Sequence, residues 1–174
     1  MTRLSERSTY LLSFLLTAGL LGITFYLQKF DGFIPCPLCI LQRITLGSLY
    51  VIFLLAWLLG TKKIVSFVFA LLASLISLLG ILLSGRQVWL QHLPKDKNAG
   101  CGVSLQYLMH ALPFKEVVAK VMQGTAECSE KGWEFLNLSL ASWSLIWFVI
   151  FFGLCLIQLR RAIRRGALIF VELN

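Results

Sequence analysis

The sequence predicts an all-α membrane protein, a four-transmembrane-helix bundle with a long extracytoplasmic loop that carries a short amphipathic helix. Three observations lead there. Of 174 residues, 58% are hydrophobic and only 14% are charged, against roughly 25% charged in ordinary soluble domains. Four stretches, Thr9–Gln28, Ile44–Gly60, Ile64–Ser84 and Leu136–Leu159, contain no charged residue, and each is close to the ~20 residues that cross a hydrocarbon core of roughly 30 Å. Basic residues also gather at particular ends of these stretches. Because lipid offers no partner to an open backbone N–H or C=O, all four are read as helices.

The first span is placed at about 9–28. Arg3 and Arg7 ahead of it are the kind of start a signal peptide has, but the apolar run is too long for one and three more follow, so the span is read as uncleaved. The second stretch is short, and its span, about 40–60, borrows residues from the Cys36–Arg43 end. The third and fourth are placed at about 64–85 and 136–159. With four spans, the regions holding Arg3 and Arg7, Lys62 and Lys63, and Arg160, Arg161, Arg164 and Arg165 share one side. Their basic excess marks that side, and both termini, as cytoplasmic. The segments 29–39 and 86–135 then lie opposite. Between Arg86 and Glu134, six basic residues meet five acidic ones. The formal net charge of +8 is therefore a topology signal first and an anionic-lipid contact second, and its placement argues against nucleic acid. Nothing repeats, and residues 1–174 are read as one membrane domain.

The long loop is polar at first ("HLPKDKNAGCG") and changes character at "PFKEVVAKVM". Phe114, Val117, Val118, Val121 and Met122 share one helical face, with Lys115, Glu116 and Lys120 opposite. Pro113 suits the first turn of such a helix. The helix is expected either to lie in the membrane interface or to pack on the loop's own small core. Tyr26, Trp133 and Trp143 stand near span ends and read as interface anchors.

Five cysteines are present. Cys155 falls within the fourth span and reads as a small buried apolar side chain. Cys36 and Cys39 stand at the start of the second span, and Cys101 and Cys128 in the long loop. An even set on an oxidising side points to disulfides, with three pairings open. A bridge between Cys36 and Cys39 would close so small a loop that it adds little stability; a Cys-x-x-Cys pair makes better sense as a redox couple. For Cys101 with Cys128 a plain staple weighs equally. Four thiolates on zinc is a further possibility, but the wide Cys101–Cys128 spacing and the oxidising side both disfavour it.

The stretch "FIPCPLCILQR" carries the chemistry. Pro37 suits the first helical position, which makes Cys36 the N-cap and sets Cys39 in the first turn. The positive end of the helix dipole stabilises a thiolate there. A rise of about 1.5 Å per residue puts Cys39 roughly 4–5 Å deeper than Cys36, so Cys36 is expected to face water and Cys39 lipid. Arg43 follows Cys39 at i+4, on the same face and one turn deeper, where an arginine needs to snorkel or find a partner. A thiolate that hands electrons toward the bilayer needs a lipid-soluble two-electron acceptor. A quinone fits, and Arg43 would stabilise the negative charge that develops on it.

These residues resemble the disulfide bond formation protein family DsbB, which with DsbA and quinone keeps the bacterial periplasm oxidising. The resemblance covers most of the chain: four spans, "CPLCILQR" opening the second, "GRQVWLQHLP" after the third, loop cysteines in "AGCG" and "TAECSEKGWEFLNLS", and a tryptophan-containing fourth span. It implies a bacterial inner-membrane enzyme whose Cys101–Cys128 disulfide oxidises a DsbA-type periplasmic dithiol protein, with Cys101 attacked by the partner's thiolate. Electrons then pass to Cys36 and Cys39, through a Cys36–Cys128 bridge, and on to ubiquinone or menaquinone. Cys39 matches the cysteine that contacts the quinone, Arg43 the quinone-associated arginine, and His92 a loop histidine near it. Gln42 stands where some members carry a glutamate. The resemblance implies no bound metal and no role for Cys155. A vitamin K epoxide reductase-like enzyme would place its Cys-x-x-Cys after the loop cysteines, the reverse of the order here. A non-catalytic, disulfide-stapled or zinc-binding scaffold is the reading from a different class.

Overall fold

The computed structural model describes residues 2–30, 36–59, 63–92, 134–135 and 138–172, and within the long loop 113, 115–117 and 119. Four long helices dominate: α1 (Thr2–Phe30), α2 (Pro37–Leu59), α3 (Lys63–Gln91) and α4 (Leu140–Glu172). Each contains a segment long and apolar enough to cross a membrane: Arg7–Phe30, Pro37–Leu59, Ile64–Gln91 and Leu140–Arg164. The second of these begins at Pro37, so Cys39 and Arg43 lie within it.

The distribution of side chains is the reverse of a water-soluble bundle. Leu12, Ile23, Leu55, Leu75, Leu82, Val149 and Ile157 point outward, while Ser13, Thr17, Ser74, Ser77 and Ser84 are buried. Apolar surface costs nothing against lipid tails, so helices associate instead through close packing of small and weakly polar residues. Three of the buried hydroxyls are satisfied on their own helices: Thr17 donates to the Ser13 carbonyl at 3.0 Å, Ser74 to the Leu71 carbonyl at 2.8 Å and Ser84 to the Gly80 carbonyl at 2.6 Å.

α3 shows this most clearly. Ser66, Ala70, Ala73, Ser77, Gly80, Ser84 and Gln87 are all buried, spaced alternately by four and three, the roughly 3.5-residue period of a helix–helix seam. All but the last are small, which draws α3 close to α4. Phe148 of α4 sits so tightly on Gly80 that a Cβ there would come within 2.3 Å of its ring. The central core joins Tyr10 of α1, Leu49 and Phe53 of α2, Ala73 of α3, and Phe148, Phe151 and Cys155 of α4. Phe53 and Phe151 meet at 5.8 Å between ring centroids. Cys155 is thus a core side chain.

Helices adjacent in sequence pack on one another, α1 on α2, α2 on α3 and α3 on α4, whereas α1 and α4 have no comparable contact. One end of the bundle collects the last turns of α1 and α3 and the first turns of α2 and α4.

The chain differs from the sequence expectation at the end of α3, which runs on to Gln91 rather than 85, at the start of α4 and in the long loop. The fourth helix starts at Leu140 rather than 136, because a short antiparallel pair precedes it: β1 (Glu134–Phe135) and β2 (Leu138–Ser139), in register Glu134↔Ser139 and Phe135↔Leu138. In the long loop, residues 115–117 and 119 are helical, and the Val117 N–H donates to the Pro113 carbonyl at 3.2 Å. Among the described residues, Val117 is buried with Cys36, Leu38, Cys39, Leu83 and Leu90, so this turn docks on the bundle end. Phe114, Val118, Val121 and Met122 lie outside the described residues.

Gly80→Ala should force the Phe148 ring out of its seat, at a cost of about 1–3 kcal/mol, the usual range for overpacking a dense core. Thermal unfolding in detergent measures it; an unchanged transition would contradict the close α3–α4 approach.

Candidate functional site

At the collecting end of the bundle, the first turn of α2 is built around sulfur. Pro37 has no N–H to lose and opens the helix. The Cys36 carbonyl accepts the first intrahelical bond from the Ile40 N–H at 3.1 Å, and the Cys36 Sγ accepts the Cys39 N–H at 3.3 Å. Cys36 is therefore the N-cap, with sulfur in the place a serine or aspartate oxygen usually takes. The two Sγ atoms lie 2.8 Å apart. This short approach follows from the cap, since one sulfur is the N-cap acceptor and the other belongs to the residue whose N–H it accepts.

The expected depth difference needs one correction. Cys36 does not face water: it is 2% exposed, less than Cys39 at 9%, because Leu90 and Val117 pack over the pair. The two sulfurs differ in another way. Cys39 borders a cavity and Cys36 does not.

That cavity holds about 350 Å³, within the usual range for small-molecule sites. Its walls come from α1 (Leu20, Ile23), α2 (Leu46) and α4 (Leu140, Trp143, Trp147, Phe148), and its polar groups include Cys39, Gln42 and Arg43. It lies where α1 and α4 fail to close on each other. The Arg43 guanidinium is fixed by α1: it donates to the Gln28 side-chain oxygen and, at 2.9 Å, to the Thr24 carbonyl. It also sits 5.5 Å from the Phe25 ring centre, a cation–π distance. Arg43 and Cys39 stand one helical turn apart on α2 and border the same cavity.

A buried polar chain backs the pair on its other side. Gln42 Nε2 donates to Gln87 Oε1 at 2.7 Å, and Gln87 Nε2 lies 3.1 Å from the Cys39 Sγ and 3.5 Å from the Cys36 Sγ. The α4 end is held by Ser139, which accepts the Ser142 N–H at 3.3 Å and donates to Gln91 Oε1 at 2.6 Å, tying the start of α4 to the end of α3.

Of the residues singled out from sequence, Cys36, Cys39 and Arg43 come together. His92 does not join them. It is exposed at the end of α3, its Nδ1 is 2.8 Å from the Val88 carbonyl, and it does not line the cavity. Cys101 and Cys128 lie outside the described residues, as does Trp133. Trp143, read as an interface anchor, also lines the cavity. Tyr26 is exposed and packs on Phe30 at 4.4 Å between centroids. Sequence reasoning passed over Gln87, Gln28 and Thr24. Gln87 had a readable signal, a long polar residue continuing a spacing otherwise kept by Ser, Ala and Gly; the partners of Arg43 had none.

A dithiol at a transmembrane helix N-terminus, beside an apolar cavity with a fixed arginine, defines a membrane-embedded class of thiol–disulfide protein. Comparison with known proteins makes this specific. The family model "Disulfide bond formation protein DsbB" matches residues 6–158. Proteins named disulfide bond formation protein B are 43% identical over 148 residues in Hahella chejuensis (85% of this chain, 90% of the relative) and 41% identical over 157 residues in Stutzerimonas stutzeri (90% and 96%). A Pseudomonas aeruginosa relative, disulfide bond formation protein B 1, is 38% identical over 159 residues (91% and 98%). The chain belongs to the DsbB family, and is accordingly a multi-pass membrane protein and a disulfide-forming oxidoreductase.

Ser139→Ala removes both the α4 N-cap and the tie to Gln91. It should lower stability by about 1–2 kcal/mol, measured as a shift of the denaturation midpoint in detergent; no shift would mean the cap is not structural.

Proposed function

We propose that the protein is a quinone-dependent thiol oxidase of the bacterial inner membrane, which reoxidises a periplasmic DsbA-type dithiol protein and passes the electrons through two cysteine pairs. The observation that carries this reading is the cavity, which brings Cys39 and Arg43 to one apolar space at the unclosed α1–α4 seam. The basic regions that flank the spans support cytoplasmic termini, and with them a periplasmic site.

The residues present fit a quinone. Leu20, Ile23, Leu46, Trp147 and Phe148 offer apolar walls, the seam opens toward lipid, and Arg43 is a fixed cation whose partners, Gln28 and the Thr24 carbonyl, are both neutral. Among the described residues, no carboxylate pairs with its charge. A bound quinone, ubiquinone or menaquinone, would supply the acceptor for the two electrons and two protons released as the Cys36 and Cys39 thiols join in a disulfide.

The chain's own residues account for the remaining steps. The Cys101–Cys128 disulfide takes two electrons from the partner's dithiol: Cys101 forms the mixed disulfide and Cys128 leaves as thiolate. The partner's second thiolate then displaces Cys101, leaving the partner oxidised and the loop pair reduced. Exchange through a Cys36–Cys128 bridge returns the loop disulfide and leaves Cys36 and Cys39 reduced. Each transfer is an in-line attack of thiolate on disulfide sulfur. Cys39 gains thiolate character from its first-turn position on α2 and from Arg43. Arg43, held by α1, orients a carbonyl-bearing ligand against Cys39 and stabilises negative charge developing on it, an electrostatic role of the oxyanion-hole kind. His92 does not line the cavity, and this scheme gives it no part.

The direct test strips quinone from membranes, adds reduced dithiol protein, and follows alkylation of Cys36, Cys39, Cys101 and Cys128. Cys36 and Cys39 should accumulate reduced and reoxidise when quinone is restored; a pair that stays oxidised and unresponsive overturns the reading. Arg43→Ala should raise the KM for quinone about tenfold or more while changing that for the protein dithiol little, the loss of one charge-assisted contact. Equal KM values for quinone in both proteins would remove Arg43 from the site.

A further inference from the structure

The small-residue seam of α3 ends in a residue that breaks its pattern. Gln87 is 4% exposed, and Gln42, which faces it from α2, is 7% exposed. Two amides in so dry a place must satisfy each other or a third group. Gln42 Nε2 occupies Gln87 Oε1 at 2.7 Å, which turns the Gln87 nitrogen to the sulfurs, 3.1 Å from Cys39 and 3.5 Å from Cys36. Among the described residues, Cys39 Sγ thereby faces the Gln87 amide nitrogen and, at 2.8 Å, the Cys36 sulfur.

We propose that Gln87 is a further catalytic residue, donating its amide N–H to the Cys36–Cys39 pair and stabilising the thiolate on Cys39, and that Gln42 is a positioning residue that keeps this amide turned toward sulfur. The proposal rests on the redox reading of the pair given above. Oxidation of the reduced pair removes two electrons, and one proton from Cys36 when Cys39 is already a thiolate, and forms one S–S bond; reduction breaks that bond and needs a place for the negative charge on the departing sulfur. A disulfide sulfur accepts hydrogen bonds poorly, whereas a thiolate accepts them strongly. A donor fixed at 3.1 Å from Cys39 therefore favours the dithiol form and makes the pair a stronger oxidant toward the loop cysteines. The same contact identifies Cys39, rather than Cys36, as the sulfur that carries charge beside the cavity. Because Gln42 also lines the cavity, the α2 face that meets the acceptor and the α3 residue that tunes the sulfur are joined through a single hydrogen bond.

The test equilibrates the full-length protein, free of quinone and in lipid nanodiscs, with glutathione redox buffers, and reads the reduced fraction of Cys36 and Cys39 by alkylation and peptide mass. Gln87→Met removes the donor at similar volume. Gln87→Glu removes it while still accepting the bond from Gln42. Both should move the equilibrium about tenfold toward disulfide, about 30 mV for a two-electron couple, and should slow Cys39 alkylation severalfold at fixed pH because less thiolate is present. Gln42→Met should move it in the same direction by less. Equilibria within twofold of the parent in Gln87 variants that unfold at the parent temperature, or in Gln42→Met should the Gln87 variants not fold, overturn the proposal. A parent pair that never exchanges with glutathione overturns the redox reading itself, an outcome distinct from variants that match an exchanging parent.

Discussion

A helix that begins at a membrane rim has N–H groups with no partner inside the helix, and lipid supplies none. In this protein the first turn of α2 meets that constraint with sulfur: the Cys39 N–H is accepted by Cys36 Sγ at 3.3 Å. Much of the site follows from that bond. It places the two thiols within 2.8 Å of each other, sets Cys39 in the positive field of the helix end, and leaves Arg43 one turn deeper on the same side. Pro37 enforces the register, since its ring suits the first helical position and few others.

The surrounding bundle serves this turn by being unevenly closed. Where α3 meets α4, alternating Ser, Ala and Gly permit close backbone approach, and Phe148 seats on Gly80. Where α1 would meet α4, no such seam exists, and a cavity of about 350 Å³ remains against Cys39 and Arg43. Tight packing on one side and a gap on the other are two outcomes of the same rule: in lipid, helices come together where their surfaces are small and complementary, not because they are apolar. Phe148 belongs to both, being a core ring on one face and a cavity wall on the other.

Polarity inside the bundle is organised on two opposite flanks of the pair. Arg43 reaches to α1 and finds neutral partners, so its charge stays available to the cavity. Gln42 and Gln87 reach between α2 and α3 and present one amide nitrogen to sulfur. A permanent charge and a neutral donor flanking a thiol pair are what the proposed alternation between thiolate and disulfide would call for.

The sequence by itself determined the helices and the cap. Charge-free runs of about 20 residues admit little else in a bilayer, and Cys-Pro-x-Cys specified the first turn of α2 because capping is local, decided within four residues. It also carried Arg43 onto the face of Cys39, since i and i+4 share a face whatever the helix packs against. Only the tertiary structure decided that Cys36 is covered, that Trp143 walls a cavity, that His92 turns back to its own helix, and that Gln87 rather than a nearer residue addresses the sulfurs. Each of these depends on which face of one helix meets which face of another, and that choice rests on the summed packing of many side chains distant in the chain. Local chemistry is written in neighbouring letters; the partners of a buried thiol or guanidinium, 15 to 51 positions away, are not.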